Sequence, residues 1–303
     1  MDKITKNFVL QRGCIANRNL IVFTAYNYDA AVQEIPNGFL FILNGSNQWS
    51  FQCVKWSTIN LDICLQPSLI CLVLGRDGEV LIADESGFNE EIIDDQGINP
   101  LNRGPLQNIA IIEGTGIAVG MGRQVYRRDS KNRWVRLENG FPPLPSGPKI
   151  VGFNAIAGHS LNDIYIVGWG GEIWRYDGQI WKSIESPTNV ILHDVLMLPD
   201  ESLFACGAEG VLLKGRGTQW DIIKYKGHVT NWRTMAWFHE KLYLADGHGL
   251  YLLDGDTIVP VNVYGEHPMP VICLRSTDEI LLAVAADSAY VTDDGITWTE
   301  LPC

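Results

Sequence analysis

The stretch Asn162-Asp163-Ile164-Tyr165-Ile166-Val167-Gly168-Trp169-Gly170-Gly171-Glu172-Ile173-Trp174-Arg175-Tyr176-Asp177-Gly178-Gln179-Ile180-Trp181 decides how the chain folds. Its apolar runs are too short for a helix and carry the Val, Ile, Tyr and Trp that suit a pleated, half-buried surface. Turn residues interrupt them at Trp169-Gly170-Gly171 and Asp177-Gly178, and glycine suits hairpins because the favoured turns need positive φ. With the run just upstream, the unit reads as four strands over residues 154–157, 163–168, 172–176 and 179–184. The following segment repeats the pattern at 194–198, 202–207, 211–214 and 218–223. No segment sustains a 3.6-residue apolar period, so helices are expected to be few.

Outward from this unit, an apolar anchor, aromatic in all but one case, recurs after a polar turn at Trp49, Phe88, Trp134, Trp181, Trp220, Ile258 and Trp298, with spacings of 39, 46, 47, 39, 38 and 40. Upstream of each of the last six anchors, an apolar residue and a small turn residue are followed by a further turn, as in Leu74-Gly75, Val119-Gly120, Cys206-Gly207, Ala245-Asp246 and Ala285-Ala286. Seven such units average about 43 residues, the length of a four-stranded propeller blade. The expected fold is all-β: a seven-bladed β-propeller with four antiparallel strands per blade, a single domain over residues 1–303. The repeat phase places the strand around residues 298–301 outermost in blade seven and leaves full sets in both terminal blades, so no strand exchange is expected at closure.

The quoted stretch resembles one repeat of the bacterial propellers grouped with Asp-box and photosystem II assembly-factor-like repeats. Asp293-Asp294-Gly295-Ile296-Thr297-Trp298 is similar to the Asp-box core, with Val291 in place of the usual leading serine. Looser echoes keep the spacing at Asn44 to Trp49, Asp129 to Trp134 and Gly215 to Trp220. The resemblance covers nearly the whole chain and implies a fold superfamily, one that hosts many activities.

With 46% hydrophobic residues the chain can bury a sizeable core, which excludes a disordered or disulfide-stapled protein. Its apolar runs fall far short of the roughly 20 residues of a membrane-spanning helix, and the first residues lack the features of a secretory signal, so a cytoplasmic location is expected. The seven cysteines form no Cys-x-x-Cys pair, and Cys53, Cys64, Cys71, Cys206 and Cys273 sit in apolar runs. That pattern reads as reduced thiols acting as small hydrophobes. Against 23 basic residues stand 35 acidic ones, a net charge of −12. Nucleic acid and anionic lipid are thereby disfavoured and a basic protein partner favoured.

In a propeller, the loops joining the second strand to the third and the fourth to the next blade share one face. On that face fall Tyr26, Tyr28, Trp169 and His248 from the first loop type, and Trp56, Phe141, Tyr225, His228, Trp232, Tyr264 and His267 from the second. Aromatics on converging loops are what a protein-binding hot spot uses, although such rings also pack between blades. Tyr28, Trp56, Trp169, Tyr225, Trp232 and His248 are the expected partner contacts. His228, His248 and His267 come from neighbouring turns, but no ligand spacing accompanies them and no metal or other cofactor is expected. Asp62, Asn108, Asn154 and Asp194 recur near the start of the innermost strands. Such recurrence favours a backbone hydrogen-bonding role over the paired carboxylates of a glycosidase, and Arg233 is the one arginine aligned with this position. The acids between residues 84 and 95 and the bases of the next repeat read as surface charge on outer strands. Asn44-Gly45-Ser46 matches a glycosylation sequon and equally a hairpin turn. Phosphate loops, nucleophile elbows and zinc-protease motifs are absent. The expectation is a non-catalytic protein-binding propeller, monomeric apart from its partner. Its candidate role is that of an immunity protein holding a basic toxin domain by stoichiometric binding. The alternatives are an assembly factor or scaffold and a carbohydrate-active enzyme using Asp62 and Asp194.

Overall fold

The computed structural model describes residues 6–45, 48–94, 97, 99–146, 150–263 and 268–303. It is an all-β, seven-bladed propeller. Blade one comprises β1 (Phe8–Asn17), β2 (Leu20–Asn27), β3 (Gly38–Asn44) and β4 (Trp49–Val54), and blade two β5 (Thr58–Cys64), β6 (Ile70–Gly75), β7 (Glu79–Asp84) and β8 (Gly87–Ile92). Blade three holds β9 (Leu106–Ile112), β10 (Thr115–Gly120), β11 (Gln124–Ser130) and β12 (Arg133–Arg136). Blade four holds β13 (Phe153–Ser160), β14 (Asp163–Gly168), β15 (Ile173–Tyr176) and β16 (Trp181–Ile184). Blade five holds β17 (Leu192–Met197), β18 (Leu203–Gly207), β19 (Leu212–Arg216) and β20 (Gln219–Ile222). In blade six, β21 (Lys226–Gly227) adds in parallel outside β22 (Thr234–Phe238), β23 (Lys241–Ala245), β24 (Leu250–Asp254) and β25 (Thr257–Val261). Blade seven is β26 (Cys273–Ser276), β27 (Leu281–Val284), β28 (Ala289–Thr292) and β29 (Thr299–Glu300), with β29 outermost. Each terminal blade is therefore built from consecutive strands. The α-helix of the described residues is α1 (Tyr28–Val32), between β2 and β3.

The chain divides into two compact units, Met1–Ile63 with Lys224–Cys303, and Cys64–Ile223. In the first, Phe23, Phe41, Leu282 and Val284 pack blade one against blade seven, and Phe238, Tyr243 and Tyr290 pack blade six against it. In the second, Tyr165, Val167, Leu213 and Trp220 join blades four and five, and Ile117, Phe153, Trp174 and Trp181 join blades three and four. Burial of such side chains contributes about 1.5–3 kcal/mol each.

The recurring anchors sit at or just before the start of each blade's fourth antiparallel strand, or one residue inside it, and three of them use the indole N–H to reach the preceding blade. Trp134 donates to the Glu91 carboxylate at 3.0 Å, Trp181 to the Leu137 carbonyl at 2.7 Å, and Trp49 to the Pro302 carbonyl at 3.1 Å. Tryptophan suits the place because its ring fills the space between blades while its one donor finds an acceptor there. The small residue upstream has a different cause from the turn geometry expected. Gly168 is extended, and a Cβ on it would collide with the Gly152 carbonyl; Gly207 stands likewise against the Ile191 carbonyl. Close approach of the innermost strand requires these glycines, whereas Gly171 and Gly210, with φ of 71° and 73°, meet the positive-φ demand.

Four of the innermost strands carry an extra residue near their start: Gln11, Gln107, Asn154 and His193 lie at register shifts in β1, β9, β13 and β17. The bulge moves Asn154 one place from Asn108 and Asp194 in register, and puts Arg12 level with them, so Arg233 is not alone among arginines near this position. Asn108 Nδ2 donates to the Asn154 carbonyl at 3.2 Å and Asn154 Nδ2 to the Leu192 carbonyl at 2.8 Å, stitching blades three, four and five. Asp62 and Asp194 accept the backbone N–H of Ile63 and Val195. The recurring polar residues thus hold backbone.

Two readings of the sequence need correction. The acids of residues 84–95 are not uniformly surface charge: Glu91 has a fully buried carboxylate that accepts both arms of Arg128, at 3.0 and 2.8 Å, and the Asn132 N–H. Arg123 clamps Glu172 in the same way across blades three and four. The rest of the sequon and acid run, Ser46 and Asp95, lies outside the described residues. Of the cysteines placed in apolar runs, Cys53 is exposed because β4 is an outer strand, and Cys64, the last residue of β5, is half-buried; all seven are free thiols. Burial, with the nearby Asp62 charge adding to it, pushes the Cys14 thiol up to about 12, which leaves it unreactive.

Candidate protein-binding surface

The six expected contact residues take three different environments. Trp232 is fully buried. It occupies the place that in other blades is filled by Leu10, Leu106, Phe153 and Leu192, one position before the bulge, each of them buried. An aromatic at that register is core, so Trp232 supports the surface from beneath. Trp56, in the connection between β4 and β5, is also buried. Tyr225 and Trp169 are half-buried, and His248 and Tyr28 are exposed, Tyr28 at 57%. Trp169 opens a single 3-10 turn after β14, with its backbone N–H on the Gly152 carbonyl. Phe141 packs against Trp174 and Trp181, with centroids at 5.0 and 5.5 Å, instead of lying on a binding face. Tyr264 and His267 lie outside the described residues.

In blade six the structure brings several of these residues together around Asp246. This aspartate replaces the small residue of the repeat and caps its own hairpin, accepting the N–H groups of His248 and Gly249 at 2.8 Å each. Its other oxygen faces His228 Nε2 at 3.2 Å. Burial works against the Asp246 charge, but the backbone of His248, the His228 imidazole, the Gly249 N–H and the Thr230 side chain outweigh it and hold the carboxyl below its ordinary range. His228 stacks on Tyr251, with centroids 4.5 Å apart and rings 7° from parallel. Trp232 sets its edge against both rings and donates its indole N–H to the Tyr225 hydroxyl at 2.9 Å. The result is a fixed aromatic platform with an oriented imidazole, a surface that offers flat apolar area and polar tips at little entropic cost. Among the described residues no group of three His, Cys, Asp or Glu is placed to hold a metal.

Sequence reasoning read Asp246 only as the turn residue after Ala245 and missed its part here, and it missed Tyr251, which keeps the strand pattern of β24. A second feature also escaped it. The connection from β2 to β3 spans ten residues, 28–37, against three or four in the corresponding hairpins of the other six blades. It carries α1, none of whose residues is buried, and exposes Tyr28, Val32 and Ile35 at 57%, 66% and 53%. Beside it lies an open groove of about 370 Å³ lined by Gln11, Tyr26, Glu34, Ile35, Asn37 and Ser57, with Ala31 and Pro36. The length of this segment, measured against the other repeats, was the signal available.

No protein-family model matches the chain. By structure it is similar to the WD40 β-propeller domain of Doa1, with a TM-score of 0.68 at 10% identity over 96% of this chain and 92% of that one. YCF48 bound to D1 peptide gives 0.65 at 14% identity, over 94% and 93%. Virginiamycin B lyase from Staphylococcus aureus gives 0.63 at 11% identity, over 81% and 84%. These likenesses concern the fold. By sequence the chain is 35% identical to the immune protein Tsi7 of Pseudomonas aeruginosa over 248 residues, 82% of this chain and 81% of Tsi7. With that identity sustained across most of both chains, this propeller belongs to the family of the immune protein Tsi7.

Proposed function

We propose that the chain is an immunity protein that binds a toxin domain stoichiometrically and blocks it without chemistry of its own. The observation that carries the reading is the identity to Tsi7 over most of the chain. Two observations support it: the recurring carboxylates Asp62 and Asp194 hold backbone N–H groups, and Tyr28 and His248 are exposed on their loops. The net charge of −12 favours a basic toxin domain, whose encounter it would accelerate by steering. Toxin domains that act on nucleic acid or nucleotides often present basic clefts, and on this reading the complex forms in the cytoplasm from a chain that is monomeric when free. No helix of the described residues is long and apolar enough to cross a membrane. Tyr28, Trp169, Tyr225 and His248 are the proposed contacts, with Trp232 and Trp56 as their buried supports. We also keep the repeats with the Asp-box group, although the turn is capped by Asp294, one place beyond the motif aspartate: its carboxylate accepts the N–H groups of Ile296 and Thr297 at 2.7 Å.

Co-expression tests the reading. Cells producing the toxin domain encoded beside this gene should survive when the chain is present. Unchanged killing, with the chain soluble and folded, would contradict immunity.

A further inference from the structure

Resting on the immunity reading, we propose that the blade-one insertion, residues 28–37, is a docking element that grips the toxin domain through an apolar helix face and takes one of its Lys or Arg side chains into the adjoining groove.

The insertion is built to present a surface. Tyr28 and Val32 stand four apart on one side of α1, the spacing that places side chains on a common helix face, and Ile35 follows just past the helix end. Large apolar groups clustered at this exposure and rimmed by polar residues mark interaction sites. The segment is also held in one shape. The Asn27 side chain caps the Ala30 N–H at 3.0 Å, and Asn37 accepts the Asn27 N–H at 2.7 Å while donating to the Ile35 carbonyl at 2.9 Å. The backbone N–H groups of Gln33 and Ile35 both return to the Ala30 carbonyl. A five-residue helix has little stability of its own, and these bonds fix it before any partner arrives, which lowers the entropy lost on binding. Glu34 is held at φ 57°, an uncommon conformation for a non-glycine residue.

Charge selects the occupant. The insertion contributes Asp29 and Glu34 and no basic residue, and neither carboxylate makes an ion pair among the described residues. Glu34 is the one formal charge lining the groove, beside the Tyr26, Gln11, Asn37 and Ser57 polar groups and the apolar Ile35 and Pro36. Hydrocarbon from Ile35 and Pro36 together with the Glu34 carboxylate and neutral polar groups fits a long cationic side chain, which lays its stem on hydrocarbon and its head on the charge. A basic partner supplies such side chains.

The experiment measures binding of the full chain to the inactivated toxin domain encoded beside its gene. Three variants are compared with the parent: the triple Tyr28→Ser, Val32→Asp, Ile35→Asp; the single Glu34→Lys; and, as a control, Ile222→Asp on the outer strand β20, where Ile222 is 47% exposed. Affinity should fall by about thirty-fold or more in the triple variant, the loss of a hot-spot cluster. Glu34→Lys should weaken binding about ten-fold at low salt and less at high salt, the control should bind like the parent, and melting temperatures should agree throughout. Parent-like binding by the triple variant and Glu34→Lys would overturn the docking element and leave immunity standing. Failure of the parent itself to bind would overturn both. Self-association of the parent that the triple variant abolishes would assign the surface to a second copy of this chain and overturn the proposal.

Discussion

Glu91 shows how a single residue governs stability in this fold. Its carboxylate is buried and satisfied by Arg128, the Asn132 N–H and the Trp134 indole. Burial opposes its charge, but these donors outweigh burial and hold the carboxyl below its ordinary range. Replacing one partner of such a buried pair leaves the other uncompensated, so Glu91→Gln should cost about 3 kcal/mol in chemical denaturation at neutral pH. The pH dependence follows from the lowered value. The contribution is fully present above the unfolded carboxylate pKa of about 4.3 and is lost as pH falls through the lower folded value. The difference between parent and Glu91→Gln should therefore hold from pH 7 to about 5 and shrink toward pH 3; a gap that widened on acidification would contradict this account. Asp246 obeys the same sign, and Asp246→Asn should also free the His228 ring.

Among elements, the innermost strands and their bulges tie the blades together. Asn154→Ala removes the donor to the Leu192 carbonyl and should destabilise by about 1–2 kcal/mol. Gly168→Ala puts a methyl group against the Gly152 carbonyl and should cost about 1–3 kcal/mol; thermal melts of either variant equal to the parent would refute the role assigned. The blades were readable from sequence because alternation, turn glycines and the anchors each repeat with every unit, and Trp134 and Trp181 fell at the outer strands where their spacing placed them. The site was less readable. Trp232 looks like any loop aromatic until the fold seats it just ahead of β22, buried as Leu106 and Leu192 are, and a one-residue slip exchanges inside for outside. Glu91 and Arg128 lie in separate repeats and are joined by folding, which no local pattern encodes. The helix α1 is too short for an apolar period to announce it.

At the scale of the whole molecule, the proposal of one domain over residues 1–303 predicts a single calorimetric transition whose van't Hoff and calorimetric enthalpies agree. Two separate transitions would assign the two compact units independent stability. Acidic charge should speed association with a basic toxin domain and do so less as salt rises. The central claim is neutralisation by stoichiometric binding, and one titration tests it most directly. Purified chain is added to a fixed amount of active toxin domain, well above the dissociation constant, and residual toxin activity is measured. Activity should fall linearly and reach zero at one equivalent, with Asp62→Asn and Asp194→Asn following the same line. Complete loss at a small fraction of an equivalent, progressing with time, would reveal catalytic inactivation and contradict the account.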